Sequence, residues 1–453
     1  MRRRPLLASA AAIAAFLIVA PTGAHAADYV PGKVIVKYRG HAPRVVRAKV
    51  QRSTKTRLAR ALPGGARLLA MRGDRSVPAT IAELRSHSDV QWAVPDYVAH
   101  TTATPFNPND PGVAGVPAGW GQTQWDLTGP YGVDAPNAWG LAAAAGAPGG
   151  RGVSIAVLDT GLAYENRGRY RKAPDFSRRN LSRIRFDFVD NDRHPDDENG
   201  HGTHVSMTIA EATNNGLALT GLAYNATIMP LRVLDSEGAG DAVAISRAIR
   251  YAADHGADII NMSLEFDTSV TASQIPEIVS AVRHAHRKGV LMVAAAGNEA
   301  DSAVAYPAHT THVVAVGATT QNGCQADYSN SGPGLKLVAP GGGSDAPNAD
   351  NAMDAANCHP GLDEPPIFQE TFARDGAVRN FAIRGPEYEG TSMASPHVAA
   401  AAALLIASGR LGKHPSPDAV ETRLEQTARD LGPPGYDVRY GFGLIQPAVA
   451  LGP

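Results

Sequence analysis

The stretch "VSIAVLD" at residues 153–159 decides the fold, because it is a short, near-continuous apolar run that ends on an acidic residue. Amphipathic segments such as "DAVAISRAIRYAADHG" and "SQIPEIVSAVRHAHRKG" lie between later runs of the same kind. Those later runs are at residues 226–235, 257–264, 290–297 and 312–318. Apolar strands that alternate with helices predict an α/β fold, a doubly wound parallel sheet with helices on both faces. Sites in such sheets lie beyond the carboxyl ends of the strands, where Asp159, Leu264 and Asn298 fall.

The chain has 453 residues, of which 44% are hydrophobic and 19% charged, as in a soluble globular protein with more than one domain. Residues 29–38 alternate like a strand, and residues 77–96 predict a helix, a turn and a strand. Residues 101–121 are rich in Pro, Gly and Asn. We therefore expect a small α+β domain at residues 27–100 and a larger domain at residues 101–453.

The N-terminus has the pattern of a signal peptide. Three arginines at residues 2–4 precede an apolar run at residues 6–20 and the small-residue motif "AHA" at residues 24–26. The run is shorter than the roughly 20 residues that a spanning helix needs, and the sequence offers no second candidate. We expect secretion with cleavage after Ala26, by the general or the twin-arginine route, and no membrane anchor.

The two cysteines, Cys324 and Cys358, would meet an oxidising environment outside the cell, which favours a disulfide. The alternatives are two buried free thiols, or a catalytic thiolate at Cys324, although neither cysteine lies in a nucleophile motif. Cys358 falls in an aperiodic segment at about residues 341–388, which we interpret as a surface insertion.

Charge is unevenly distributed. Residues 27–100 carry 14 basic and 5 acidic residues, net +9, whereas residues 101–453 carry 25 and 38, net −13. The two parts should attract each other. A basic segment can also bind nucleic acid, but these charges are spread through a folded pattern, and secretion argues against that partner.

Four polar residues carry the chemistry. Asp159 ends its apolar run in "VLDTG", and His201 follows an acidic run in "DDENGHGTHVSMTIAE", residues 196–211. Ser392 opens an apolar helix in "GTSMASPHVA", beside free backbone N–H groups, and Asn298 follows an apolar run in "AAAGNE". Each pattern alone also has a simpler explanation, such as a helix cap, a turn or a solvated acidic loop.

Together, "VLDTG", "NGHGTHV", "AAAGNE" and "GTSMASPHVA" resemble the four signature blocks of the subtilisin-like serine proteases. The resemblance runs from Gln124 almost to the C-terminus. It implies that His201 is the general base, that Asp159 orients it, and that Ser392 is the nucleophile. Asn298 and the backbone N–H of Ser392 would hold the oxyanion. His204 would be a structural neighbour and the acidic run a solvated loop.

The resemblance extends to residues 27–100, which look like an inhibitor-type propeptide that templates folding and is then cut off by the protease itself. It also implies that substrate binds as an extra strand between two edges. The residues implied in substrate binding are Ser263, Leu264, Glu265, Gly238, Gly240, Ala295 and Gly297. Glu265 departs from the family, which has glycine there, and its side chain would either narrow the cleft or select basic residues, so the sequence leaves the subsite preference open.

Residues 213–221, "TNNGLALTG", are similar to the family's calcium loop, whose oxygen ligands suit a hard cation. The implied ligands are Gln124, Asp175, Thr213, Asn215, Leu217 and Leu219. A plain surface turn is the alternative. We expect no catalytic cofactor.

We therefore expect a secreted, monomeric serine endopeptidase that acts on proteins or peptides and is made as a self-processing zymogen. A second hypothesis is a metal-dependent hydrolase that uses His201, His204 and the acidic run, although the spacing H-G-T-H lacks the glutamate of a zinc protease helix. A third is a catalytically inactive binding protein with the same fold.

Overall fold

The structure, a computed structural model, describes residues 29–40, 42–72, 76–97, 103–347, 358–374 and 377–452. The predicted signal peptide and its cleavage after Ala26 lie outside these residues. The chain divides into two compact units, residues 1–100 and 101–453. Among the helices that are described, none has the length and apolar character needed to cross a membrane.

The first unit is a four-stranded antiparallel sheet with two helices. The sheet has the order β2-β3-β1-β4. Its core includes Val34, Val36 and Leu69 from the sheet and Leu84 from α2. The elements are β1 Tyr29–Tyr38, α1 Arg44–Ser53, β2 Thr56–Ala61, a 3-10 turn Pro63–Gly65, β3 Arg67–Met71, α2 Val77–Ser86 and β4 Val90–Tyr97. The predicted β1, α2 and β4 are present, whereas α1, β2 and β3 were not predicted.

The second unit is built on a seven-stranded parallel sheet of order β11-β10-β9-β8-β5-β7-β6. Its strands are β5 Ser154–Asp159, β6 Phe186–Asp187, β7 Thr227–Arg232, β8 Ile259–Met262, β9 Leu291–Ala295, β10 Val313–Thr319 and β11 Leu337–Pro340. All five strands predicted from apolar runs are in this sheet. The two edge strands β6 and β11 were not predicted, because they are too short to give a periodic signal.

Successive residues of the central strand β5 point to opposite faces of the sheet. Ile155 and Val157 pack in one hydrophobic core, and Ala156 and Leu158 pack in the other. A strand that is buried on both faces needs apolar residues throughout. This explains the near-continuous apolar run that predicted the fold.

Helices cover both faces. The core that contains Ile155 is completed by α5, α6, α9, α10 and α11, and the core that contains Ala156 is completed by α7 and α8. The helices are α3 Trp120–Thr123, α4 Trp125–Thr128, α5 Ala135–Ala144, α6 His201–Ala210, α7 Ala242–Asp254, α8 Pro276–Arg287, α9 Thr391–Ala407, α10 Pro417–Thr427 and α11 Pro447–Leu451, with 3-10 turns at Pro148–Gly150 and Arg178–Asn180. The prediction of a doubly wound α/β unit is confirmed.

The segment interpreted as a surface insertion contains a two-stranded antiparallel hairpin, β12 Gln369–Phe372 and β13 Phe381–Arg384. All four residues of β12 are buried, and the hydroxyl of Thr371 donates to the carbonyl of Gly200, just before α6. The interpretation as a surface insertion is therefore wrong for β12, which packs behind the helix that begins at His201.

A disulfide joins Cys324 and Cys358, with their Cα atoms 5.8 Å apart. It ties the first part of the insertion to the chain that follows β10. The predicted pairing is confirmed, and the alternative of two free thiols is excluded.

Candidate active site

Asp159 and His201 meet at the carboxyl edge of the sheet. Asp159 is the last residue of β5 and is fully buried, and its Oδ1 lies 2.8 Å from Nδ1 of His201. The same Oδ1 accepts the backbone N–H of Thr160 over 2.7 Å, which keeps the carboxylate in place. A carboxylate at Nδ1 favours the tautomer in which that nitrogen carries the proton. The lone pair of Nε2 is then available to accept a proton.

His201 is the first residue of α6, and its side chain is 26% exposed. Burial alone would lower the pKa of His201, but the charge and hydrogen bond of Asp159 outweigh it, so the pKa is raised above the ordinary value of 6.5. Asp159 therefore stabilises the imidazolium form. A base with this property accepts a proton more readily than an isolated histidine does.

The acidic run before His201 is not a solvated loop, which corrects the sequence interpretation. Asp196 and Asp197 are buried. One oxygen of Asp197 accepts the backbone N–H groups of Asn199 and Gly200, each over 2.9 Å, and the other accepts that of Thr203 over 2.9 Å. Asp197 thus satisfies N–H groups at the start of α6, which lack intrahelical partners.

His204 is a buried structural residue. Its Nε2 lies 3.1 Å from the carbonyl oxygen of Ile367, and its ring stacks on Tyr388 with 4.2 Å between ring centroids. Burial, with the nearby His201, lowers the pKa of His204 to about 3. Within the described part of the chain, no cluster of three or more potential metal ligands contains His201 or His204. The arrangement therefore offers no support for the metal-hydrolase hypothesis.

Ser392 is the second residue of α9, where helix N–H groups lack intrahelical acceptors. Its Oγ lies 3.3 Å from the carbonyl oxygen of Ser263, and the Ser263 hydroxyl donates to the Ser392 carbonyl over 2.8 Å. The serine is thus held against the edge that follows β8. Among the described residues, no hydrogen bond joins Ser392 Oγ to His201, a bond that in hydrolases often forms only when substrate is present.

Asn298 lies just beyond β9 and is tied to the start of α9. Its Oδ1 accepts the backbone N–H of Thr391 over 2.8 Å, and its Nδ2 donates to Oε1 of Glu265 over 3.3 Å. The structure therefore brings Asn298 beside the N-terminus that carries Ser392. Its amide donor is directed at the carboxylate of Glu265.

The predicted substrate-binding residues lie in separate segments at the ends of strands β7, β8 and β9. Ser263 and Leu264 are buried at the end of β8, whereas Gly238 and Gly240 lie in an exposed loop after β7. Ala295 ends β9 and is buried. Gly297 has a φ of +114°, and a Cβ there would lie 2.0 Å from Nδ2 of Asn330, so only glycine fits.

The predicted calcium ligands are only partly assembled. Nδ2 of Asn215 donates to Oδ1 of Asp175 over 2.6 Å, which brings these two residues together. Gln124 instead uses both side-chain polar atoms on the backbone of Thr220, over 2.8 and 3.0 Å. The loop residues Thr213, Leu217 and Leu219 follow α6, and Leu219 is buried in the main core.

Sequence reasoning missed three acidic residues beside this loop. Asp110 accepts the backbone N–H groups of loop residues 214–216, and Glu370 accepts the backbone N–H of Asp175 over 2.8 Å. Oδ2 of Asp175 and Oε1 of Glu211 are buried, with no hydrogen-bond donor among the described residues. Buried carboxylate oxygens without donors are costly unless a cation or a proton is present. The donor set therefore fits a hard cation such as Ca²⁺.

Comparison with known proteins identifies two regions. Residues 150–443 match the subtilase family, and residues 18–96 match the fervidolysin N-terminal prodomain. The chain is 33% identical over 421 residues to the thermophilic serine proteinase of Bacillus sp. (strain AK1), covering 91% of this chain and 86% of that one. It is 33% identical over 300 residues to thermitase of Thermoactinomyces vulgaris, covering 66% of this chain and 87% of that one.

Among solved structures, a protease from Pseudoalteromonas arctica PAMC 21717 superposes with a TM-score of 0.59 at 28% identity. The superposition covers 76% of this chain and 99% of that one. The likeness in structure agrees with the likeness in sequence.

Proposed function

Because the chain belongs to the subtilase family, we propose that Asp159, His201 and Ser392 are the catalytic triad with which it hydrolyses peptide bonds. It is a serine-type endopeptidase, and its N-terminal prodomain makes it a zymogen. The observation that carries the proposed triad is the 2.8 Å contact between Asp159 and His201, at the same sheet edge as the helix start that bears the half-buried Ser392.

The reaction begins with attack of Ser392 Oγ on the carbonyl carbon of the scissile bond, while Nε2 of His201 takes the hydroxyl proton. The carbonyl oxygen becomes an oxyanion, which accepts from the backbone N–H of Ser392 and from Nδ2 of Asn298. Asp159 stabilises the imidazolium through Nδ1. His201 then gives its proton to the leaving amine, and water hydrolyses the acyl-enzyme with His201 again as the base.

Labelling of the processed protein with a peptide diphenyl phosphonate tests this assignment. We expect stoichiometric modification of the peptide that contains Ser392, with complete loss of casein hydrolysis, whereas brief chelation leaves hydrolysis intact. The variant Ser408→Ala, which changes a serine at the other end of α9, should retain full activity. Hydrolysis that survives labelling, or label on another serine, contradicts the proposed nucleophile.

We also propose that residues 27–100 act as folding template and inhibitor and are cut off by the protease itself after export of the precursor. The match to a prodomain supports this role, as do the opposite net charges of +9 and −13. Secretion rests on the N-terminal signal pattern, with cleavage after Ala26.

A structural calcium ion is the remaining part of the proposal. Asp175 and Asn215 would hold it with their side chains, and Thr213, Leu217 and Leu219 with their carbonyl oxygens. The unpaired buried oxygens of Asp175 and Glu211 support a cation here. When bound, the ion neutralises buried negative charge and stabilises the loop, and it takes no part in the chemical step.

A further inference from the structure

The proposed triad mechanism gives no role to Glu265, although this residue contacts Asn298. Its Oε1 accepts the side-chain amide of Asn298 over 3.3 Å, so the carboxylate lies beside the proposed oxyanion donor. Its Oε2 is buried and has no hydrogen-bond donor among the described residues. The same oxygen lies against Gly297, since a Cβ built there would be 2.8 Å from it. One oxygen of this carboxylate is therefore buried beside Gly297 without an N–H or O–H donor among the described residues.

A second carboxylate lies next to the first. Oε2 of Glu299 accepts the backbone N–H of Asn298 over 3.1 Å and Nδ2 of Asn330 over 2.6 Å. Burial, the charge of Glu299 and a hydrogen bond between the two carboxyl groups raise the pKa of Glu265 to about 7. In the ranges that the structure describes, no arginine, lysine or histidine forms an ion pair with Glu265 or Glu299. The two carboxyl groups therefore lie close together, and no cation among the described residues offsets the repulsion between them when both are ionised.

The proposed mechanism places this pair relative to a substrate. The oxyanion that Asn298 would hold is one bond from the scissile carbon, and the Cα of the P1 residue, which precedes the scissile bond, is one bond further. The edge at residues 263–265 would bind the backbone of the same substrate segment. The side chain of the P1 residue therefore begins close to Asn298 and to the two carboxyl groups beside it.

We propose that Glu265 and Glu299 form a binding site for a cationic P1 side chain, so that the enzyme cleaves after arginine and lysine. This inference rests on the proposed function. A guanidinium or ammonium supplies the donor that Oε2 of Glu265 lacks and offsets the cost of the buried charge. Glu299, which is exposed, forms the outer part of the site, where the side chain enters.

Binding of the cation also affects the chemical step. Nδ2 of Asn298 carries two N–H groups, so it can donate to Glu265 with one and to the oxyanion with the other, which places the Glu265 carboxylate close to the developing negative charge. A P1 cation bound to this carboxylate offsets the repulsion between the two like charges, so the preference should appear in kcat as well as in KM. A neutral P1 residue leaves that repulsion in place.

The test compares two peptide p-nitroanilides that differ only at P1, arginine against its neutral isostere citrulline, with the enzyme processed from the full chain. We expect kcat/KM to be about 100-fold higher for arginine, because a site built for a charged donor rejects the analogue that lacks it. In Glu265→Gln this ratio should fall about tenfold or more, partly through a higher kcat with citrulline. Glu277→Gln, which removes an equal charge from the first turn of α8, should keep the ratio.

Equal rates for arginine and citrulline in the wild type, or an unchanged ratio in Glu265→Gln, overturn the proposal. If Glu265→Gln does not mature, wild-type inhibition by peptide aldehydes that end in arginine or citrulline decides the matter, with tighter inhibition by arginine expected. The proposed function fails separately: neither anilide is then hydrolysed and no phosphonate label reaches Ser392. If Ser392 is labelled and the two anilides are hydrolysed equally well, only the proposed P1 site is contradicted, and the proposed function stands.

Discussion

Thr391 holds Asn298 in place, since its backbone N–H and its hydroxyl donate to Oδ1 of Asn298 over 2.8 and 3.0 Å. These two bonds couple the start of α9 to the end of β9. They also occupy the oxygen of the Asn298 amide, so that the nitrogen points away from α9, toward Glu265. The N-terminal turn that carries Ser392 thus also orients the second proposed oxyanion donor.

The variant Asn298→Ala tests the oxyanion role. We expect kcat to fall about 10² to 10³-fold with little change in KM, because the donor acts on charge that develops only in the transition state. This magnitude is the one measured in subtilisin for loss of a single oxyanion donor, and it is carried over from that enzyme. Steady-state kinetics on an anilide substrate measure it. A wild-type kcat in Asn298→Ala would show that Asn298 is not an oxyanion donor.

Ser392→Ala tests self-processing. The substitution removes one oxygen and leaves the fold, so a chain that matures through its own nucleophile should remain a precursor that begins at Ala27. The wild type should begin within residues 101–124, beyond the propeptide. Intact mass and N-terminal sequencing in a host without extracellular proteases distinguish the two products. Maturation of the alanine variant to the wild-type N-terminus contradicts self-processing.

The pH profile tests the contact between Asp159 and His201. The base must be neutral, and its pKa is raised, so activity should be lost as pH falls through a value above 6.5. Asp159→Asn removes the charge that raises this pKa, which should move the acid limb to lower pH and reduce kcat about 10⁴-fold. Profiles of kcat/KM for both proteins measure the shift. An acid limb that does not move shows that another group sets it.

The disulfide between Cys324 and Cys358 should stabilise the protein. It closes a loop with a sequence separation of 34, and we expect the double variant Cys324→Ala/Cys358→Ala to lose about 2 to 4 kcal/mol of unfolding free energy. Denaturant unfolding is measured on both processed proteins after inactivation with the diphenyl phosphonate, which avoids autolysis. Equal midpoints with and without the bridge contradict this contribution.

Calcium should stabilise the processed protein through Asp175. At a concentration about 100-fold above the dissociation constant, a ligand that binds only the folded state adds about 2.7 kcal/mol. We expect chelation to lower Tm and calcium to restore it in the processed protein inactivated with the diphenyl phosphonate, and we expect Asp175→Asn to abolish both effects. Glu277→Gln is the matched control and should respond as the parent does. A calcium response that survives in Asp175→Asn places the ion elsewhere.

Much of the fold was predictable because the deciding patterns are local. The run that contains Ile155 and Val157 is apolar on both faces, and a strand with two buried faces gives that signal within seven residues. The helix predicted in the first part of residues 77–96 is similarly marked by Ser76, whose side chain accepts the backbone N–H of Ala79, and by the proline that follows Val77. Short edge strands such as β6 carry too few residues for a pattern.

Burial of polar residues was not predictable in the same way. Asp197 lies in a run that has the composition of a solvated loop, yet it is buried and bonded to the start of α6. The hairpin strand β12 has no apolar periodicity, and its contact with Gly200 spans a sequence separation of 171. Such contacts form between segments that are far apart in the sequence, so no local pattern predicts them.

The sequence alone thus determined the parallel α/β architecture, the family resemblance and the residues proposed as the triad, because each rests on a short motif or a local period. Only the tertiary structure decided that Glu265, Asn298 and Glu299 lie together, with one buried carboxylate oxygen lacking a donor. The strand that ends near residue 262 and the one that ends at residue 295 are neighbours in the sheet, although they are far apart in the chain. Their pairing places the carboxyl groups of Glu265 and Glu299 side by side, next to Asn298.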